Sequence, residues 1–72
     1  MKRNDDLQRD VQDAIKWESI LSSTEIGVIA KDGIITLTGT VHSSYQKNKA
    51  GRIAKNVPGV FSIENEIVIE YN

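Results

Sequence analysis

The apolar residues at the start of the chain repeat with the period of an α-helix. They stand at positions i, i+4, i+7 and i+8, which places them on one side of a helix. This apolar stripe consists of Leu7, Val11, Ala14 and Ile15. Asp5 is the expected N-cap, because Gln8 follows three residues later and completes a capping-box pattern. The pattern fades after Lys16, so Trp17 lies off the stripe, near the predicted end of the helix.

The middle of the chain alternates apolar and polar residues, as two half-buried strands would. The inward positions of the first strand are Ile26, Val28 and Ala30, and those of the second are Ile35, Leu37, Gly39 and Val41. Asp32 and Gly33 separate the strands, and an Asp-Gly pair is a strong signal for a two-residue hairpin turn, which needs positive φ. We therefore predict a hairpin with Gly33 at positive φ, and close packing or a bulge at Gly39.

The last third of the chain predicts a second helix and a third strand. Ser43 is the expected N-cap, with Gln46 at the capping-box position. The apolar stripe of this helix is Ala50, Ile53, Ala54 and Val57. Pro58 and Gly59 are expected to end the helix. One strand then runs from Val60 to about Glu70, with its apolar face interrupted by Asn65.

The predicted order is helix, strand, strand, helix, strand, which indicates an α+β fold. The second helix is long enough to form a right-handed crossover between two parallel strands. We expect an αββαβ two-layer sandwich, in which a three-stranded mixed sheet of order 1-2-3 carries both helices on one face. Its other face, rich in Thr and Glu, is expected to meet solvent or a partner. The chain of 72 residues is short enough to be one domain.

Two segments in this order resemble the BON family of bacterial osmotic-stress and nodulation domains, also called transport-associated domains. The first is DGIITLTGTV at residues 32–41, similar to the family's Asp-Gly turn and V-x-L-x-G-x-V strand. The second is VPGVFSIEN at residues 57–65, similar to its G-V-x-x-V-x-N ending. Ile35 and Ile63 stand where Val is commoner. The run Lys16-Trp17-Glu18 is similar to BON domains that occur in tandem copies.

This resemblance covers roughly residues 5–70, and it implies the αββαβ fold without catalytic activity. BON domains are associated with bacterial envelope and osmotic-stress proteins, and are thought to bind phospholipid surfaces or partner domains. The family has no catalytic or metal motif to carry over. We therefore expect one BON-like domain over residues 1–72, either complete or cut from a longer or tandem-domain protein.

Charge and hydropathy exclude little by themselves. The net charge is −1, so neither nucleic acid nor a membrane is favoured by bulk charge. The longest apolar stretch, residues 26–30, is far too short to span a bilayer. No signal-peptide pattern follows the N-terminus. A cytoplasmic protein is expected, unless the chain was excised from an exported, periplasmic parent.

No constellation in the sequence predicts catalysis or a cofactor. Glu64, Glu66 and Glu70 share one face of the last strand, where a solvated sheet face explains them. The acidic residues of the first helix fit capping and the helix macrodipole better than a calcium loop. His42 is the single histidine, there is no cysteine, and no nucleophile elbow accompanies the serines that follow it. We expect no enzyme, no metal site and no cofactor.

The strongest asymmetry is the basic second helix. It carries Lys47, Lys49, Arg52 and Lys55 and no acidic residue, whereas the first helix and the last strand are net acidic. These four residues, with Trp17 as an interfacial anchor, are the candidate site for anionic lipid headgroups. A solvated helix, and a Trp17 that covers the edge of the core, are the structural alternatives.

Two kinds of partner follow from these features, and a third is not expected. The first is a phospholipid membrane surface. The alternative is protein–protein docking, to tandem BON copies or to other domains, through the Thr- and Glu-lined face or a strand edge. Nucleic acid is not expected, because the exposed sheet face carries Glu rather than stacking aromatic residues.

Overall fold

The computed structural model describes residues 3–22 and 24–71. Its elements, in order, are α1 (Asn4–Lys16), a 3-10 turn (Ser19–Leu21), β1 (Glu25–Lys31), β2 (Ile34–Val41), α2 (Ser44–Lys55), β3 (Ser62–Asn65) and β4 (Val68–Ile69). The predicted α+β fold and its element order are confirmed. The predicted last strand is wrong in one respect, because it consists of the two short segments β3 and β4.

The sheet has β2 at its centre. β1 pairs with β2 antiparallel, and β3 and β4 both pair with β2 in parallel, so the predicted order and mixed character are confirmed. β3 ends at Asn65, whose Oδ1 accepts a hydrogen bond from the Ile67 N–H at 3.3 Å. Glu66 and Ile67 separate β3 from β4, and the Glu66 N–H still donates to the Leu37 carbonyl of β2 at 2.8 Å.

The hairpin between β1 and β2 follows from its two turn residues. Lys31 pairs with Ile34, which leaves Asp32 and Gly33 as a two-residue loop. Their φ values are 53° and 84°, the left-handed region that a type I′ turn needs at both positions. The turn thus matches the right-handed twist of the strands it joins.

Gly39 lies inside β2 at a close approach of two backbones. Its φ is 109°, and a Cβ built there would overlap the carbonyl oxygen of Glu25 on β1. Only glycine meets both conditions without strain. The strand can therefore continue to Val41, with Glu25 still paired to Thr40.

The N-terminus of α1 is held differently from the prediction. Arg3, not Asp5, is the N-cap, and no side-chain hydrogen bond caps the helix. Asn4 and Gln8 instead bond to the hairpin. Asn4 Oδ1 accepts from the Asp32 N–H at 2.9 Å, and Gln8 Oε1 accepts from the Ala30 N–H at 3.3 Å. Gln8, whose side chain the capping box would use, therefore bonds to the backbone of β1 instead.

The N-terminus of α2 is capped as predicted. Ser43 is the N-cap, and its Oγ accepts from the Gln46 N–H at 3.2 Å. Gln46 reaches back to the His42 N–H at 2.7 Å, one residue before the cap. Its Nε2 also donates to the Ile20 carbonyl at 3.0 Å, which ties α2 to the 3-10 turn.

The end of α2 comes earlier than Gly59. The helix ends at Lys55, with Asn56 as its C-cap. Gly59 has φ 100°, and the Val60 N–H donates to the Val57 carbonyl at 3.1 Å. Pro58 and a positive-φ glycine in that four-residue turn are the pattern of a type II turn. The prediction that Gly59 ends the helix is wrong, because this glycine forms the turn that leads to β3.

One hydrophobic core lies between the two helices and one face of the sheet. Its buried members are Leu7, Val11, Ile15, Leu21, Val28, Ala30, Ile35, Leu37, Val41, Ala50, Ala54 and Ile67. All are aliphatic, and none is aromatic. The faces assigned from the alternating pattern are the faces found, since Ile63 and Ile69 pack partly buried against the same core.

Candidate binding site

The basic residues of α2 fall into an outward stripe and one outlier. Arg52 and Lys55 are exposed, and Lys49 is half-buried beside them. Tyr45, Lys49 and Arg52 stand at i, i+4 and i+7, so they lie on one side of the helix. Lys47 is half-buried on the other flank, where its carbonyl accepts from Asn65 Nδ2 at 2.9 Å. The predicted cluster is therefore three residues on one stripe, with Lys47 towards β3.

No carboxylate neutralises this helix within residues 3–22 and 24–71. The salt bridge found there joins Arg9 Nη2 to Asp6 Oδ1 at 3.0 Å, and it lies on α1. Lys55 Nζ donates to the Phe61 carbonyl at 2.6 Å, which fixes the ammonium without cancelling its charge. The positive field of α2 therefore stays available to an anion.

Phe61 is a candidate that the sequence did not indicate. It is 76% exposed, and its backbone carbonyl accepts a hydrogen bond from the Lys55 ammonium. The predicted strand would have placed Phe61 on the buried face with Ile63, since they are two residues apart. The structure starts β3 at Ser62, so Phe61 lies before the strand and its side chain is exposed rather than on the buried face.

Trp17 lies at the other end of the molecule from Lys55 and Phe61. It is the C-cap of α1 and is 84% exposed, so it does not cover the core edge. α1 starts beside the hairpin, where Asn4 meets Asp32, and it runs for about 20 Å by helix rise. Phe61 bonds to Gly33 of the same hairpin. Trp17 therefore cannot act together with Lys55 as one compact site.

All four aromatic residues of the chain are on the surface. Their exposed fractions are 84% for Trp17, 57% for Tyr45, 76% for Phe61 and 78% for Tyr71. Trp17 and Tyr45 flank the contact between Gln46 and Ile20, so both lie at the end of the domain away from the hairpin. Phe61 lies at the hairpin end. The basic stripe therefore has an exposed aromatic residue at each end.

The acidic residues lie on other surfaces. Glu64, Glu66 and Glu70 are exposed and share the sheet face that is turned away from the helices. Thr36 Oγ1 contacts Glu64 Oε2 there at 3.5 Å. α1 carries Asp5, Asp6, Asp10 and Asp13. The domain is thus electrically polarised, with α2 as its positive side.

The other candidate groups form no reactive cluster. His42 is exposed and shares a shallow surface depression with Glu25 and Glu70. Across the described ranges, no three histidine, aspartate or glutamate side chains gather closely enough to hold a metal ion. Nor does any helix in those ranges have the length and apolar character needed to cross a bilayer.

The structure defines a small αββαβ domain with the basic helix α2 on one side and a sheet face with exposed glutamates on the other. The family model for the BON domain matches residues 3–71, and the chain belongs to the BON family. The chain is also similar to osmotically-inducible protein Y of Escherichia coli (strain K12), with 40% identity over 50 residues. That match covers 69% of this chain and 25% of the relative, so the chain corresponds to about a quarter of the relative's length.

Proposed function

We propose that this BON domain is a non-catalytic module that attaches a protein of the osmotic-stress response to anionic phospholipid surfaces. The osmotic-stress context is inferred from the name of the Escherichia coli relative. The single observation that carries the membrane proposal is the uncompensated positive charge of α2. Four basic residues lie within its 12 residues, without an acidic residue in the helix.

The expected affinity of the charges alone is low. Each basic side chain near an anionic membrane surface contributes about 1 kcal/mol. Three residues on the stripe and Lys47 on its flank then supply at most about 4 kcal/mol, which corresponds to a dissociation constant of about 1 mM. Anchoring therefore needs apolar contacts or several linked copies as well as charge.

The aromatic residues next to the stripe can provide these contacts. Aromatic side chains are favoured at the boundary between headgroups and acyl chains. Tyr45 lies on the stripe itself, and the backbone of Phe61 is bonded to Lys55. In this arrangement Arg52 and Lys49 meet phosphates while Phe61 enters the interface. Trp17, at the far end, is the alternative anchor.

The test compares vesicle binding of single charge reversals. Arg52→Glu changes an exposed residue of the stripe, and Lys31→Glu makes the same change on an exposed residue of β1. We expect Arg52→Glu to weaken co-sedimentation with phosphatidylglycerol vesicles and Lys31→Glu to leave it unchanged. Wild-type binding should fall at high salt, because exposed charges are screened. Equal losses for both variants, or full binding by the triple variant Lys49→Glu, Arg52→Glu and Lys55→Glu, would contradict the assignment.

A second candidate function is protein docking, which the sheet face away from the helices favours. Ile29 is 57% exposed and Val68 is 59% exposed on this face. Exposed branched aliphatic side chains among threonines can pack against another apolar surface. An Ile29→Lys variant should leave vesicle binding intact and weaken any self-association seen in sedimentation.

A further inference from the structure

The outer edge of β1 is covered by side chains along only part of its length. Gln8 Oε1 accepts from the Ala30 N–H, and Asn4 Oδ1 accepts from the Asp32 N–H, just after the strand. Backbone groups in an antiparallel pair alternate between the partner strand and the other side. The Ala30 N–H points away from β2, so the N–H groups of Val28 and Ile26 also point outwards.

The spacing of α1 determines which of its side chains lie along the rest of the β1 edge. Four residues of a helix advance about 6 Å along its axis, and two residues of a strand advance about 6.6 Å. Every fourth residue of α1 therefore lies beside every second residue of β1. Continuing from Asn4 and Gln8, the next positions are Gln12, beside Val28, and Lys16, beside Ile26. Lysine has no hydrogen-bond acceptor. Across the described residues, Asn4 and Gln8 are the side chains that accept from this edge.

A groove lies beside the part of the β1 edge that Asn4 and Gln8 do not reach. It has a volume of about 420 Å³ and lies between the C-terminal half of α1 and β1. Its floor is apolar and consists of Ile15, Leu21, Ile26 and Val28. Its rim is polar and includes Gln12 and Lys16. Lys16 is exposed and has no carboxylate partner in the part of the chain that the structure describes.

We propose that this groove binds an extended, acidic peptide segment of another protein as an additional strand on β1. The backbone of the segment pairs with the outward groups of Ile26 and Val28. An apolar side chain of the segment rests on the floor, since alternate side chains of an added strand point towards the helices. A carboxylate of the segment meets the Lys16 ammonium, which is the uncompensated charge at the rim.

A second copy of the domain fits this groove poorly. Pairing β1 with the β1 of another copy would place the two strands about 4.8 Å apart. α1 packs over β1, so the two α1 helices would come almost as close, whereas packed helices need about 8–10 Å between axes. The edge therefore suits a segment without a helix of its own.

The test is an amide NMR titration of the whole chain with capped pentapeptides. The acidic probes are Thr-Val-Thr-Val-Glu and two versions with Ile or Leu in place of both Val residues, and the control probe ends in Lys instead of Glu. We expect selective shifts at residues 26–28 with the acidic probes and weaker binding of the Lys probe. No shifts at residues 26–28 with any acidic probe at low-millimolar concentration would overturn the proposal, and so would equal binding of the two kinds of probe.

Two sets of variants separate charge from backbone pairing. Lys16→Glu should weaken the acidic probes by about threefold or more, as expected for an exposed ion pair, whereas Lys49→Glu on α2 should not. Ile26→Pro removes an outward N–H, and Ile26→Ala removes side-chain atoms but keeps this donor. Ile26→Pro should weaken binding of the acidic probes more than Ile26→Ala does, because only Pro removes the hydrogen-bond donor. Equal effects of Lys16→Glu and Lys49→Glu would overturn the site, because they would indicate a non-specific response to net charge.

Discussion

Gly51 lies in the middle of α2, although glycine inside a helix costs about 1 kcal/mol relative to alanine. A Cβ at this position would lie 2.9 Å from Asn65 Nδ2. That nitrogen donates to the Lys47 carbonyl at 2.9 Å, and Asn65 Oδ1 accepts from the Ile67 N–H. The missing side chain of Gly51 therefore makes room for the amide that joins α2 to the last strands.

This arrangement predicts that Gly51→Ala has opposite effects in two backgrounds. In the wild-type chain the new methyl group displaces the Asn65 amide, and the loss of its hydrogen bonds outweighs the gain in helix propensity. Each lost bond costs about 1 kcal/mol, so two lost bonds and a gain of about 1 kcal/mol leave a net destabilisation of about 1 kcal/mol. In an Asn65→Ala background the clash is absent, and the same change should stabilise by about 1 kcal/mol. The coupling is then about 2 kcal/mol.

Urea unfolding followed by far-ultraviolet circular dichroism measures all four corners of this cycle. Trp17 fluorescence is a poor probe, because its side chain is already 84% exposed in the folded state. The Asn65→Ala variant alone should lose about 2 kcal/mol, a large share of the stability of so small a domain. A coupling below about 0.5 kcal/mol would show that Gly51 and Asn65 act independently and would refute the reasoning.

Three further changes test other contacts. Gly39→Ala should lower the free energy of unfolding by at least about 2 kcal/mol in urea titrations, because the methyl group meets the Glu25 carbonyl at positive φ; an unchanged urea midpoint would contradict this. Gln46→Ala should cost about 2 kcal/mol in the same assay by removing two side-chain hydrogen bonds, and Gln46→Glu should fall between it and wild type. Gln8→Ala should speed hydrogen exchange of the Ala30 amide, and unchanged protection there would rule out the edge contact.

The elements that were predictable from the sequence are those set by local physics. The two-residue turn needs positive φ at both positions, and the Asp-Gly pair is a sequence signal for such a turn. The α2 cap needs only Ser43 and Gln46, three residues apart. The buried faces of β1 and β2 follow from the two-residue period of a strand. Each of these features is decided by residues close together in the chain.

The features that were missed depend on partners far along the chain. Gln8, the predicted capping-box residue, instead accepts from a backbone N–H 22 residues away, and Asn4 accepts from one 28 residues away. β3 ends at Asn65, whose Nδ2 donates to the Lys47 carbonyl of α2, 18 residues earlier. A pattern of apolar and polar positions carries no information on such contacts, so the predicted strand ran unbroken from Val60 to about Glu70.

The candidate lipid site was only partly predictable, because part of it also depends on contacts between residues far apart in the chain. Helical spacing alone places Lys49 and Arg52 on the outward side of α2. It does not show that Phe61 leaves the strand alternation beside Lys55, or that Trp17 lies about a helix length away. A linear stretch of basic residues could be predicted, whereas its aromatic neighbours required the fold.

The two proposed surfaces can be related through the position of Trp17. The peptide groove has Lys16 on its rim, and Trp17 is the next residue, whereas Phe61 lies at the hairpin end of the domain. If Trp17 were the membrane anchor, lipid would crowd the rim of the groove, and vesicles and acidic peptides would compete. If Phe61 is the anchor, α2 faces the membrane and the β1 edge stays open, so both can bind at once. Peptide titrations with and without phosphatidylglycerol vesicles, repeated with Trp17→Ser and Phe61→Ser, therefore identify the aromatic residue that orients the domain.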